Sequence, residues 1–156
     1  SNQIGQVRRD PFAMLPFIGY HAGDYLKHWL DIGKMTKPSL LPKIFYVNWF
    51  RKDQNNRYLW PGFGENSRVL KWIFERTDGS NNAHKTPIGW MPNTTDLDLS
   101  DLSISPESID QLLSVNREEW LKECQSIEEY LKRYEPKLPY EIKQELSNLV
   151  ERLKID

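Results

Sequence analysis

Cysteine is nearly absent: Cys124 stands alone among 156 residues, which excludes an internal disulfide and fits a reducing compartment. No apolar run approaches the roughly 20 residues that a membrane-spanning helix needs. No membrane partner is therefore expected, and the expected location is cytoplasmic. An excess of one charge is missing too. Lys and Arg number 21 against 22 Asp and Glu, a net charge of −1, so nothing draws the chain to nucleic acid or anionic lipid. Hydrophobic residues make up only 38%, whereas a self-sufficient globular unit usually reaches roughly 45–50% with glycine counted. The sequence holds no Gly-x4-Gly-Lys-[Ser/Thr] phosphate loop and no nucleophile elbow. It also lacks an initiator Met and a signal peptide. Residues 1–4 read as a tag remnant with a disordered start, and the whole reads as a piece of a longer chain.

What the chain does have is rings: six Trp, seven Tyr and six Phe. Each can bury on the order of 150–250 Å², so a core built from a few large side chains is expected. The rings crowd one stretch, Trp49–Asn66, WFRKDQNNRYLWPGFGEN, with five aromatics in eighteen positions. Helical or strand spacing is missing over most of it, so a regular packed face does not account for it.

Around this stretch the pattern predicts a mostly helical α/β fold. Asp10-Pro11 opens a first segment broken by Pro16, Gly19 and Gly23. A cleaner helix is expected over 24–33, with Tyr25, Leu26, Trp29 and Leu30 on one face and Gly33 as its stop. The run 43–50, KIFYVNWF, is the strongest strand candidate and so continuously apolar that it reads as covered on both faces. Residues 53–56 form a turn, and 57–60 return as the second arm of a hairpin, giving a small aromatic-lined sheet. Glu65 or Asn66 opens a helix with Val69, Leu70, Ile73 and Phe74 inward, closing near Asp78-Gly79. A polar loop over 79–85 and one short extended segment over 86–92 follow. Three helices finish the chain. Ser105-Pro106 starts the first, which carries Ile109, Leu112 and Leu113. The second carries a stripe of Trp120, Leu121, Cys124, Ile127 and Leu131. Pro139 opens the last, with Ile142, Leu146, Leu149, Val150 and Leu153. The organisation expected is an aromatic-rich part over 5–93 and a helical segment over 94–156 of the same domain.

Within 49–66, Gly62 and Gly64 can hold Phe63 exposed, and the helix that follows offers backbone N–H groups and a positive dipole end. With the hairpin arms bringing Phe50, Tyr58 and Trp60 near, the result is a slot with aromatic walls and a floor of donors. A planar heterocycle with an edge carbonyl, such as guanine, suits it. The ordinary alternative is local packing of rings around a turn. His21, Asp24 and His28, at i, i+3 and i+7, form a conceivable metal face on an interrupted helix. His84 reads as exposed and Cys124 as a small buried hydrophobe. Arg8-Arg9 and Arg51-Lys52 could touch phosphate but read more simply as surface.

Three stretches, DPFAMLPFIGYHAGDYLKHWL, LPKIFYVNWFRKD and LWPGFGENSRVLKWIFER, together resemble the C-terminal part of the GTP-dependent phosphoenolpyruvate carboxykinases. The likeness runs from about Gly5 to the C-terminus and includes TPIGWMPN; it is weaker after Asn93. It implies a subdomain of that family's C-terminal nucleotide-binding domain. It also implies the parent reaction, oxaloacetate and GTP to phosphoenolpyruvate, CO2 and GDP, a gluconeogenic step by a monomeric enzyme. Mn2+ at the active centre and a second divalent ion, Mg2+ or Mn2+, with the nucleotide go with it. The family's guanine pocket maps onto Phe50, Tyr58 and Phe63, its nucleotide-contacting run onto Phe63, Gly64, Glu65 and Asn66, and Trp49 supports the pocket as Trp60 does. Tyr58 stands where a Phe is expected. The phosphate loop, metal ligands and oxaloacetate-binding arginines map outside this chain, so no catalytic residue is expected here and the isolated chain is expected to be inactive. Two rival readings remain: a non-catalytic helical interaction module, and a single-stranded nucleic-acid binder, against which the balanced charge argues.

Overall fold

Helix dominates the computed structural model, which describes residues 9–155; the tag expected at residues 1–4 and Arg8 lie outside them. Among the described residues there are five α-helices: α1 (Ala22–Lys34), α2 (Asn66–Thr77), α3 (Pro106–Leu113), α4 (Arg117–Leu131) and α5 (Tyr140–Lys154). One antiparallel hairpin joins them, β1 (His84–Thr86) with β2 (Gly89–Met91), His84 facing Met91 and Thr86 facing Gly89. The chain divides into two compact units, Ser1–Leu41 with Arg117–Asp156, and Pro42–Asn116.

In the first unit the broken opening segment is two 3-10 turns, Pro11–Ala13 and Leu15–Phe17. The Leu15 N–H donates to Asp10 Oδ2 at 2.8 Å. His21 caps α1, its Nδ1 accepting from the Gly23 N–H at 3.0 Å. Gly33 does not stop this helix, which continues to Lys34; an interior glycine weakens a helix by roughly 1 kcal/mol without breaking it. Gly23 is needed for a different reason. A Cβ there would sit 2.5 Å from the Lys137 carbonyl oxygen, so α1 meets the α4–α5 connection backbone to backbone. Ion pairs from Lys137 to Asp24 (2.6 Å) and from Lys34 to Glu141 (2.7 Å) flank that contact. Helices α4 and α5 pack on each other along the stripes read from sequence, with Cys124 and Leu153 buried. The Tyr134 hydroxyl shares a 2.6 Å hydrogen bond with that of Tyr130, and burial pushes its pKa up. Burial, with help from the Glu123 carboxylate, also raises the Cys124 thiol.

The second unit departs more from the sequence reading. Residues 43–50 are not a strand, because no neighbour among the described residues supplies a ladder. Phe45, Val47 and Trp49 turn inward while Ile44, Tyr46 and Phe50 are exposed, so one face is covered rather than two. Phe45 meets Trp72 edge to face at 5.8 Å. The strand pairing that does form lies at 84–91, where a loop and a single extended segment were expected; Thr86 Oγ1 donates to the Gly89 carbonyl at 2.8 Å across the turn. Helix α2 starts at Asn66 and ends at Thr77, as its start and stop signals indicate. Its buried residue is Trp72, whose Nε1–H donates to the Asn82 carbonyl at 2.8 Å. Val69 and Ile73 are half-buried, but Leu70 and Phe74, expected inward, are exposed. The indole defines the inward face, and it lies on neither of those residues' side of the helix. Helix α3 begins as read, with Ser105 Oγ accepting from the Ser108 N–H at 3.2 Å and Pro106 in the first turn.

Gly23→Ala should lower stability by about 1–3 kcal/mol because the added methyl overlaps backbone. Gly33→Ala, where a Cβ meets nothing within 4 Å, should raise it by up to ~1 kcal/mol. Urea midpoints of the two variants check both signs. Cys124 should resist maleimide in the folded chain and react once urea unfolds it, which mass spectrometry reads directly.

Candidate functional site

One carboxylate shapes the turn at the candidate site. Asp53 Oδ1 accepts from the Asn55 N–H at 2.8 Å and the Arg57 N–H at 2.9 Å, while Asn56 takes the left-handed φ of 61° that asparagine tolerates. These bonds, led by the Arg57 amide, hold the Asp53 carboxyl below its usual range. The arms then pair through a single bridge, Lys52 with Tyr58. The Leu59 N–H donates to the Arg51 carbonyl and the Asp53 N–H to the Arg57 carbonyl, both at 2.9 Å. The hairpin read from sequence is thus present, but as one bridge and not as a sheet.

That bridge sets Phe50 against Tyr58, centroids 6.3 Å apart at 64°, and both rings are exposed. The Lys52 ammonium lies 4.8 Å over the Tyr58 ring. Arg51 points the other way and donates to the Leu112 and Ser114 carbonyls at 2.9 and 2.8 Å and to Ser114 Oγ at 3.1 Å. Its guanidinium is thus fixed on the C-terminal end of α3, and the phosphate-contacting role that the Arg51-Lys52 pair suggested does not suit it.

Behind the exposed rings sits a buried layer. Leu59 and Trp60 are buried, and Trp60 packs on Trp49 at 6.3 Å. Trp60 Nε1–H donates to Asn66 Oδ1 at 2.8 Å, which leaves the Asn66 amide NH2 turned away from the indole. Gly62, at φ 130°, makes the left-handed step that swings Phe63 outward, and Phe63 is 91% exposed. Gly64 needs no such angle. The Glu65 N–H bonds to the Gly62 carbonyl at 3.1 Å and the Asn66 N–H to that of Phe63. Of the donor floor read from sequence, the amides of Phe63 and Gly64 are left without a partner among the described residues. The structure therefore pairs Phe50 with Tyr58 and Trp49 with Trp60, and ties Trp60 to Asn66. Phe63 stands apart, in ring contact with neither Phe50 nor Tyr58.

A charge network beside Glu65 escaped the sequence reading. Arg68 donates to Glu65 Oε2 at 2.6 Å and to the Asp98 carbonyl at 2.7 Å, and Lys71 reaches Asp98 Oδ2 at 3.2 Å. The i, i+3 spacing of Glu65 and Arg68 is a legible signal; Asp98, thirty residues away, has none. The Ser100 hydroxyl, followed by Lys71, lowers the Asp98 carboxyl from 3.8 to about 2.

The other candidates have structural employment. His21 caps α1, and Asp24 is engaged by Lys137, so the conceivable metal face with His28 does not assemble. No group of three or more His, Cys, Asp or Glu among the described residues is placed to hold a metal ion. His84 is exposed, on β1 and not in a loop. Arg9 pairs with Glu123 and donates to Ser126 Oγ at 2.8 Å. No helix among the described residues is long and apolar enough to cross a membrane.

The described residues define a mostly helical piece with a small two-stranded antiparallel sheet and exposed rings at a helix start. Comparison with known proteins agrees. The family model of the phosphoenolpyruvate carboxykinase C-terminal P-loop domain matches residues 1–152. Phosphoenolpyruvate carboxykinase [GTP] of Treponema pallidum is 49% identical over 154 residues, covering 98% of this chain and 25% of the relative. The protein of the same name from Renibacterium salmoninarum is 51% identical over 150 residues, covering 96% and 25%. The chain belongs to this carboxykinase family. It spans about a quarter of the length of the relatives it matches.

Asp98 carries a prediction in pH. A carboxylate held below its unfolded value favours the folded state once the unfolded group has ionised, above about pH 3.8, and that contribution disappears as pH falls through about 2. Asp98→Asn should therefore be less stable than wild type at pH 6 and converge with it near pH 2. Thermal melts across that window test it.

Proposed function

We propose that this chain is the base-recognition part of a GTP-dependent phosphoenolpyruvate carboxykinase. In the parent enzyme, oxaloacetate and GTP give phosphoenolpyruvate, CO2 and GDP, and the metal ions and phosphate-handling groups come from outside these residues. The observation that carries the reading is Phe63, 91% exposed on a helix start beside the part-buried Trp60–Asn66 bond. An isolated Phe so fully in water contributes nothing to the packing of its own chain. It is well placed to stack on a flat base, as are Phe50 and Tyr58.

Stacking is worth about 1–3 kcal/mol per base and is indifferent to which base it is. Selection has to come from the edge. Trp60 engages Asn66 through Oδ1, which leaves its NH2 as a donor, and the amides of Phe63 and Gly64 add donors without partners among the described residues. Guanine O6 accepts from such groups; adenine presents an amino group at the same place and leaves a donor unpaired, at a cost of roughly 1–3 kcal/mol. The interaction-module reading loses its surface, because the α4 and α5 stripes it relied on pack on each other.

Trp fluorescence of the chain should quench on adding GTP and not on adding ATP or an oligonucleotide. Phe63→Ala should weaken that response by roughly tenfold, the equivalent of about 1.4 kcal/mol of stacking, with no change in melting temperature. In a full-length carboxykinase the same substitution should raise the KM for GTP. An unchanged guanine response in Phe63→Ala would remove Phe63 from the pocket. The isolated chain should show no carboxykinase turnover.

A further inference from the structure

The Phe50 ring is held in place by little around it. It is 72% exposed, and Tyr58, against which it lies, is exposed as well. The hairpin that carries both rings closes through a single bridge, and a lone two-stranded hairpin is marginal in water. A ring free to move on such an arm would have to be ordered when a base arrives, and that ordering is subtracted from the affinity. Rigidity has to come from the other face of the arm.

That face belongs to Arg51. Successive side chains of an extended arm point to opposite sides, and the neighbour of Phe50 reaches back to the end of α3. Its Nη1 donates to the Leu112 carbonyl at 2.9 Å and to the Ser114 carbonyl at 2.8 Å, and its Nη2 to Ser114 Oγ at 3.1 Å. The Ser114 hydroxyl in turn donates to the Gln111 carbonyl at 2.8 Å, so the receiving turn is itself closed. A helix end offers unpaired carbonyls and a negative dipole pole, and a guanidinium fork answers both. Helix α3 is anchored by buried Ile109 and by the Ser105 cap. On the hairpin side, the Arg51 carbonyl accepts from the N–H of buried Leu59, and the Phe50 N–H donates to Asn48 Oδ1 at 3.0 Å. Hairpin and helix are thus joined at Arg51.

We infer that Arg51 is a positioning residue for the base: it clamps the arm to α3 and presets the Phe50 ring for stacking, without itself touching the nucleotide. This rests on the reading of Phe50 as a base-stacking ring, and it adds the group that makes that ring rigid.

A double-mutant cycle in a full-length carboxykinase containing this chain tests it. Arg51→Met should raise the KM for GTP about tenfold and leave kcat within about twofold, the pattern of lost ground-state binding. Arg51→Lys, which keeps the charge but not the fork, should fall between Arg51→Met and wild type. On a Phe50→Ala background Arg51→Met should add nothing, because the ring it positions is gone. Ser114→Ala, which removes one acceptor and little bulk, should raise the KM about twofold and serves if Arg51→Met does not fold. In the lone chain, the amides of Asp53 and Leu59 should exchange faster in Arg51→Met than in wild type. An unchanged KM in Arg51→Met, a fall in kcat in its place, or a KM effect that persists in full on Phe50→Ala overturns the inference. If Phe50→Ala and Phe63→Ala both leave GTP kinetics unaltered, the base-site reading falls first and takes this role of Arg51 with it.

Discussion

The hydrogen bond from buried Trp60 to Asn66 is the constraint on which the second unit's functional surface depends. It joins the return arm of the hairpin to the first turn of α2, and the Trp49 ring backs it. An indole N–H has one donor and, once buried, needs a partner. The bond therefore sets where the helix starts relative to the turn and fixes the orientation of the Asn66 amide. Pro61 and Gly62 only span the gap. With both ends of that short link tied, the left-handed step at Gly62 projects Phe63 outward instead of folding it in.

Around this point the unit is held by groups that read carbonyls rather than by a large apolar core. Arg51 grips the end of α3, Trp72 donates to Asn82, Arg68 reaches the Asp98 carbonyl, and Lys43 the end of α2. A sequence low in aliphatic residues can in this way order long irregular segments, each side chain replacing a backbone partner that a sheet would have given. The first unit works differently. Amphipathic α4 and α5 bury their stripes, and α1 approaches closely at Gly23.

Local signals in the sequence were legible where one residue type dictates local geometry. Ser105 with Pro106, the turn at Asp53–Asn56, the start of α2 and the stripes of α4 and α5 all formed as read. Reading failed where the outcome depends on what lies across from a segment. Residues 43–50 have strand propensity, but propensity pairs with nothing by itself, and the run stays unbonded. On α2 the apolar count favoured Val69, Leu70, Ile73 and Phe74, yet the single large indole of Trp72 chose the inward face. The rings of the candidate site were identifiable from their crowding around a turn. Their spatial sorting into a buried pair, an exposed pair and a solitary Phe63 was not, because it follows from the Trp60–Asn66 bond and the angle at Gly62.

The two glycines that bracket Phe63 are chemically alike and structurally unequal. Only Gly62 occupies a backbone region closed to other residues, whereas Gly64 has an ordinary angle and open space where a methyl would go. Mutational drift in this triplet is thus asymmetric. The second position is free to acquire Ala or Ser, and with it a new group beside the exposed Phe63 ring, while the first is locked. Any natural retuning of what this lip recognises has one door through which to enter.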